Sequence, residues 1–209
     1  MGNFVQAEKC FLRAMDIWKL SLGESNSTYI QGINNLGALY MSTGEYSKAE
    51  PLFIKAFELR KNLFGELNFD YATSINNLAV LYKRMGNFLK AELLYQKALL
   101  VYETMQQTDN LEYALTLNNY ALVLDIQKKY DEAESMYEKS VEIRLKFLGA
   151  AHATVAESYN NMGILYQHKK EYEKSEDYFL KSLDIAKTAL GEKHPSCAAF
   201  NSSLSLLYL

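Results

Sequence analysis

Several things a catalytic, secreted or membrane protein would be expected to carry are scarce in this chain. Two cysteines, Cys10 and Cys197, occur in 209 residues, near opposite ends and without metal-ligand spacing, so neither an internal bridge nor a metal site is expected, and a reducing, cytoplasmic compartment fits. No unbroken apolar run reaches the roughly 18 residues of a membrane span, and Met1 to Lys9 lack a basic start followed by an apolar stretch. Balanced charge, 22 basic against 25 acidic residues, gives no long-range attraction to nucleic acid or anionic membrane. A Gly-rich phosphate loop, a Ser or Cys with a base in reach, and carboxylates clustered on one inward face are all missing. The sequence therefore predicts no enzyme and no cofactor.

What is present is periodicity. Asn34-Asn35, Asn76-Asn77, Asn118-Asn119 and Asn160-Asn161 return every 42 residues, with Ser202-Ser203 in the fifth slot. A fixed period of this size predicts stacked helical hairpins, with the 49% apolar content spread along a stack. The same step aligns Gly2-Asn3-Phe4, Gly44-Glu45-Tyr46, Gly86-Asn87-Phe88, Lys128-Lys129-Tyr130 and Lys170-Glu171-Tyr172 as a turn into a second helix. Glu8, Glu50, Glu92, Glu134 and Glu176 follow, and are expected in the first turn of that helix as structural charges favoured by its dipole.

First helices carry Leu36-Gly37 with Tyr40, Leu78-Ala79 with Tyr82, Tyr120-Ala121 with Leu124, and Met162-Gly163 with Tyr166. Second helices place Ala49, Phe53 and Ala56, Ala91, Tyr95 and Ala98, then Ala133, Tyr137 and Ser140 on one core face. Arg13 with Asp16, Lys55 with Glu58, Lys139 with Glu142 and Lys181 with Asp184 read as solvated pairs on the second helices. Leu22-Gly23, Phe64-Gly65, Leu148-Gly149 and Leu190-Gly191 share a column between hairpins, and Gln106-Gln107 departs from it, which predicts a longer or looser loop there. His152 and His194 fall with Asn26, Asn68 and Asn110 at helix N-caps, with Pro195 as a first helical residue, while His168 stands alone on a first helix.

These columns resemble the tetratricopeptide repeat. Asn76-Asn77-Leu78, Ala91-Glu92-Leu93-Leu94-Tyr95 and Leu190-Gly191-Glu192-Lys193-His194-Pro195 are similar to the 42-residue variant found in kinesin light chains and nephrocystin-type proteins. The resemblance implies an all-α superhelix, a solenoid of about ten helices in antiparallel hairpins. The repeats divide as a half repeat at 1–26, full repeats at 27–68, 69–110, 111–152 and 153–194, and a half repeat at 195–209. Apolar Leu206, Leu207, Tyr208 and Leu209 would normally be covered, so the chain is expected to continue as a longer array or to pair end to end.

Helix geometry sets Gln31, Asn34, Ala38, Met41 and Ser42 to one side of the first-helix core, on the expected inner wall. The step of 42 adds Thr73, Asn76, Val80, Lys83 and Arg84, then Leu115, Asn118, Leu122, Asp125 and Ile126, then Glu157, Asn160, Ile164, Gln167 and His168. Asparagine offers donor and acceptor together, so Asn34, Asn76, Asn118 and Asn160 are read as contacts to the backbone of an extended peptide, and Asn35, Asn77, Asn119 and Asn161 as ties between repeats. The family resemblance implies the same peptide-binding role for the first four. Lys83 and Arg84 give the wall a basic half, and Asp125 and Glu157 an acidic half. The expected function is a protein-binding adapter or scaffold. The resemblance leaves open a regulatory or substrate-presenting segment of a longer enzyme, and a purely architectural spacer.

Overall fold

The computed structural model describes residues 3–208, so Gly2 of the turn column and Leu209 lie outside the described residues. Ten α-helices follow one another: α1 (Phe4–Leu22), α2 (Ser27–Ser42), α3 (Tyr46–Phe64), α4 (Phe69–Arg84), α5 (Phe88–Thr104), α6 (Leu111–Ile126), α7 (Tyr130–Leu148), α8 (Ala153–His168), α9 (Tyr172–Leu190) and α10 (Pro195–Leu207). The expected all-α hairpin architecture is what the chain adopts. It divides into two compact units between Gln106 and Gln107.

In the first unit α2 pairs with α3 and α4 with α5, α1 packs on α2, and α3 packs on α4. In the second unit α6 pairs with α7, α8 with α9, α7 packs on α8, and α10 lies on α9 and α8. Small residues allow these pairings: a Cβ added at Gly163 would fall 2.6 Å from the Phe179 ring, so α8 meets α9 at a distance only glycine permits. The expected second-helix core face is buried throughout, with Ala49, Phe53, Ala56, Ala91, Tyr95, Ala98, Ala133, Tyr137 and Ser140 at 2% exposure or less. Where serine replaces alanine in these columns its hydroxyl is satisfied, Ser140 Oγ donating to the Ala114 carbonyl and Ser175 Oγ to the Gly163 carbonyl, both at 2.7 Å.

First helices begin on side-chain caps. Asn26 and Asn68 accept from the amides of Thr28 and Asp70 at 2.8 Å, and Asn110 from Tyr113 at 2.9 Å. His152 and His194 do the same through Nδ1, with Thr154 at 3.1 Å and Ser196 at 3.2 Å, as their column predicts. The turn into each second helix needs a left-handed residue, filled by Gly44 (φ 80°) and Gly86 (φ 76°) but by lysine at Lys128 and Lys170 (φ 62° each). α1, α3, α7 and α9 each run 19 residues and end on glycine. α5 stops after 17, at Thr104, and Gln106 takes the left-handed conformation at φ 57°. The loop that follows is two residues longer at its start, which is the irregularity the Gln106-Gln107 column foretold.

One expectation is corrected. Glu8, Glu50 and Glu134 are the fifth residues of their helices, one turn beyond the amide-rich start. Their partners are tyrosines of the following first helix: Tyr40, Tyr82 and Tyr166 donate to them at 2.5, 2.6 and 2.6 Å, and Tyr208 donates to Glu176. Two of the lysines expected to pair at a spacing of three bond elsewhere instead, Lys55 donating to the Tyr29 hydroxyl and pairing with Glu24, both at 3.2 Å, and Lys139 donating to the Tyr113 hydroxyl at 2.9 Å.

Candidate functional site

The first-helix face is built from residues that neither the hairpin core nor the caps consume. Its amide column is not an open ladder. Asn34, Asn76, Asn118 and Asn160 are only 8, 4, 7 and 9% exposed, which corrects the expectation that they project into a hollow. Asn77 Nδ2 donates to Asn34 Oδ1 at 2.9 Å, and Asn161 Nδ2 to Asn118 Oδ1 at 3.3 Å. Within each unit a first helix is hemmed by its own second helix and by the first helix that follows, so the buried sector is wider than the core residues alone suggest. Asn77 and Asn161 are ties, as expected, with the first asparagine of the preceding pair as acceptor, whereas Asn35 is exposed and accepts from Gln31 of its own helix. Asn76 and Asn160 hold buried Oδ1 atoms without a hydrogen-bond partner.

The other predicted wall residues are divided between burial and solvent. Val80, Leu122 and Ile164 are half-buried, and Arg84 is exposed. Lys83 is half-buried, and desolvation with the neighbouring Arg84 charge lowers its pKa to about 8. Asp125 is buried and meets His168 Nδ1 at 2.8 Å, so His168 has a partner that its own helix did not reveal. This contact spans the same 43 residues as the asparagine tie, one repeat plus one position.

Sequence reasoning missed two arginines. Arg60 of α3 and Arg144 of α7 are 5 and 4% exposed, and desolvation lowers the pKa of both guanidiniums from the usual arginine range. Arg60 Nη1 donates to Ser74 Oγ at 2.8 Å and to the Asp70 carbonyl at 3.3 Å, while Nη2 reaches Gln31 Oε1 at 2.8 Å. Arg144 Nη1 meets Ser158 Oγ at 2.5 Å and, at 3.5 Å, the Thr154 carbonyl and Asn118 Oδ1. The signal that could have found them is a size match 14 residues apart: Trp18 faces Gly32, where an added Cβ would lie 2.8 Å from the indole, and each arginine faces a serine.

Beside Arg60 lies a cavity of about 340 Å³, lined by Trp18, Ser27, Thr28, Gln31, Gly32, Asn35, Arg60, Phe64 and Asp70. Its polar lining combines the neutral side chains of Ser27, Thr28, Gln31 and Asn35 with the Arg60 guanidinium and the Asp70 carboxylate, and the exposed Asn35 takes the Gln31 amide at 2.9 Å. The arrangement offers amides, the hydroxyls of Ser27 and Thr28 and a desolvated cation to an acceptor-rich ligand. Among the described residues no group of three or more His, Cys, Asp or Glu could hold a metal ion, and no helix is long and apolar enough to cross a membrane.

Comparison with known proteins agrees with this architecture. The family model described as tetratricopeptide repeat matches residues 28–104, 112–188 and 154–209. Among solved structures the chain is similar to BtubC (BKLC) from P. vanneervenii, at 22% identity and a TM-score of 0.84, covering 100% of this chain and 84% of that one. It is also similar to a Podospora anserina putative kinesin light chain with nearly identical TPR-like repeats, at 18% identity and a TM-score of 0.73, covering 86% and 85%. A point-substituted form of that protein gives 17% identity and a TM-score of 0.74, covering 86% and 84%. No curated protein matches the chain. At these identities the likeness establishes a shared fold, and repeats of this kind are in general protein–protein interaction modules. Matching over most of its length, the chain belongs to the tetratricopeptide repeat family.

Proposed function

We propose that the chain is an adapter that captures an extended peptide segment of a partner protein along its first-helix face. The observation that carries this reading is Arg60, a desolvated cation beside the 340 Å³ cavity whose hydrogen-bond partners Ser74, Asp70 carbonyl and Gln31 are all neutral oxygens, with the Asp70 carboxylate the one acid that lines the cavity and acts on its charge. A carboxylate entering the cavity would meet a guanidinium held in place, and charge-assisted bonds of this kind exceed neutral ones in strength. In this reading Asn34, Asn76, Asn118 and Asn160 set the spacing of the wall, and the exposed amides of Gln31 and Asn35 meet the peptide backbone.

Val80, Lys83 and Arg84 extend the wall of the first unit as an apolar floor with a basic end. Leu122, Ile164, Asp125 and Glu157 give the second unit an apolar floor with acidic character. The repeats are 27–68, 69–110, 111–152 and 153–194, with half repeats at 1–26 and 195–209, and the place of work is the cytoplasm. Similarity to a putative kinesin light chain supports an adapter role by analogy of fold.

Peptide-display selection on the purified chain, followed by titration of the selected peptide, tests the proposal. Replacing Arg60 by Met, which keeps the stem and removes the charge, is expected to weaken binding by roughly tenfold or more while helicity is retained. Unchanged affinity for Arg60→Met and Asn35→Ala, in folded protein, would show that the peptide lies elsewhere.

A further inference from the structure

We propose that the cavity where α7 and α9 straddle α8 receives an arginine side chain of another protein, held by the carboxylates of Glu138 and Glu142 beside the ring of Tyr159. The cavity measures about 380 Å³ and joins those two exposed acids to two half-buried rings, Tyr159 and Tyr178, over an apolar floor of Val141 and Met162. Glu138 and Glu142 are four residues apart and share one face of α7. The centroids of the two rings lie 5.8 Å apart.

Packing does not require these residues. Glu138 stands where α1, α3 and α9 carry Leu12, Ile54 and Leu180 and α5 carries Gln96. Tyr159 replaces Ile33, Ile75 and Leu117 of the other first helices, and Tyr178 replaces Leu52, Leu94 and Met136 of other second helices. Glu142 follows its column, which holds Asp16, Glu58 and Asp184, so Glu138 adds a second carboxylate to one that the repeat already has. The corresponding cavity of the first unit, about 330 Å³, is walled by Ile54, Phe57, Leu78 and Leu94. A hairpin therefore folds on aliphatic side chains at these sites, and three departures from the repeat meet at one cavity.

The cations of the surrounding helices are committed elsewhere. On α7, Lys139 donates to the Tyr113 hydroxyl, Arg144 is buried on Ser158, and Lys146 pairs with Asp109. On α9, Lys174 pairs with Glu171 at 2.6 Å and Lys187 with Glu192 at 4.0 Å, while Lys169 beyond α8 is taken by Glu134 and Asp131. Lys128 and Lys170, in the turns before α7 and α9, stand ten and eight residues ahead of Glu138 and Tyr178, roughly 15 and 12 Å along a helix, where exposed charges are largely screened. Lys181 is the cation that remains. Lys55 and Lys139 in its column bond a tyrosine 26 residues earlier, but Val155 occupies that place for Lys181, whose ammonium stands 5.1 Å from the Tyr178 centroid. Against this one charge, Glu138, Glu142, Asp177 and Asp184 make no ion pair among the described residues. The rim is net acidic.

Arginine fits this lining better than other cations. Its guanidinium is planar, weakly hydrated and rich in donors, so it can stack on a tyrosine while bonding two carboxylates above an apolar floor. A divalent ion would require more oxygen ligands than two carboxylates supply.

The test uses the full chain and a fluorescein-labelled peptide of about ten residues with arginines in a Gly-Ser background, followed by anisotropy at about 50 mM salt. Saturable binding is expected, weakened roughly tenfold or more by Glu138→Ile, the residue α3 carries, with the circular dichroism unchanged. Tyr159→Ile, which alters no charge, is expected to weaken it about threefold or more, and Lys181→Met to strengthen it. Citrulline in place of the arginines keeps their shape without the charge and is expected to abolish binding. Arg60→Met is expected to leave binding unaltered, which separates this site from the first-helix face. Absence of saturable binding, equal binding of the citrulline peptide, or weakening by Lys181→Met would overturn the proposal. So would an equal loss from Glu132→Gln at the start of α7, or unchanged affinity in Tyr159→Ile, since diffuse acidity would then account for the binding.

Discussion

Tyr82 of α4 donates its hydroxyl to the Glu50 carboxylate of α3 at 2.6 Å, and the contact recurs at the same spacing of 32 residues between Tyr166 and Glu134. A hairpin is thereby pinned to the first helix of the next one by a charge-assisted bond. Removing the hydroxyl leaves a half-buried carboxylate without its donor, so Tyr82→Phe is expected to lower stability by about 1–2 kcal/mol, measured by urea denaturation.

The same bond sets an alkaline limit. Burial and the Glu50 carboxylate raise the Tyr82 pKa to about 12, above its value in the unfolded chain. A raised pKa means that the native state keeps the proton longer, so the stabilisation is intact below about pH 10 and is lost as pH climbs towards about 12. Tyrosinate absorbance followed alongside helicity checks this, and Tyr82→Phe is expected to flatten the decline in that window.

Much of this was legible in the residues. The period, the N-caps at Asn26, Asn68, Asn110, His152 and His194, and the irregular junction at Gln106 follow from columns that can be aligned by eye. The Tyr82–Glu50 and Arg60–Ser74 contacts were not, because they depend on the rotation of one helix against the next, which a repeat length does not contain. The asparagine column was misplaced for a related reason. A turn of about 100° separates Asn34 from Asn35, and a third packing neighbour moved the first of them from wall to seam.

Asn160 makes the seam testable. Its Oδ1 is buried without a partner, and Ser203, in the position where Asn77 and Asn161 serve as donors, is spent on the Ala199 carbonyl of its own helix at 3.4 Å. Ser203→Asn is expected to supply the missing donor and raise stability by about 1 kcal/mol, or roughly 2–4 °C in Tm. Calorimetry checks this, with Asn160→Ala in the same background removing the gain.

Lys128 holds a left-handed turn that Gly44 and Gly86 fill without a Cβ. Lys128→Gly exchanges about 1–2 kcal/mol of conformational strain for a smaller rise in unfolded-state entropy, so a net gain of about 0.5–1 kcal/mol is expected. Gly44→Ala is expected to lose about 1 kcal/mol by the reverse argument. Denaturation midpoints compare the two.

Arg144 and Ser158 should behave as one unit. Arg144→Ala removes a buried guanidinium from Ser158 and Asn118, and a loss of about 2–4 kcal/mol is expected. Copying the Trp18–Gly32 pair into this place, Arg144→Trp with Ser158→Gly, is expected to recover part of that loss, whereas Arg144→Trp alone overpacks against Ser158. A double-mutant cycle by denaturation reads the coupling.

The claim on which the functional account rests is that a peptide enters beside Arg60, and site-specific photo-cross-linking measures it most directly. p-Benzoylphenylalanine in place of Thr28 lines the 340 Å³ cavity, and in place of Ser47 it stands exposed on α3. The account predicts that a display-selected peptide is captured strongly from position 28 and at background level from position 47, and that Arg60→Met suppresses the first. Equal capture from both positions, or capture from position 28 that Arg60→Met leaves intact, would contradict it.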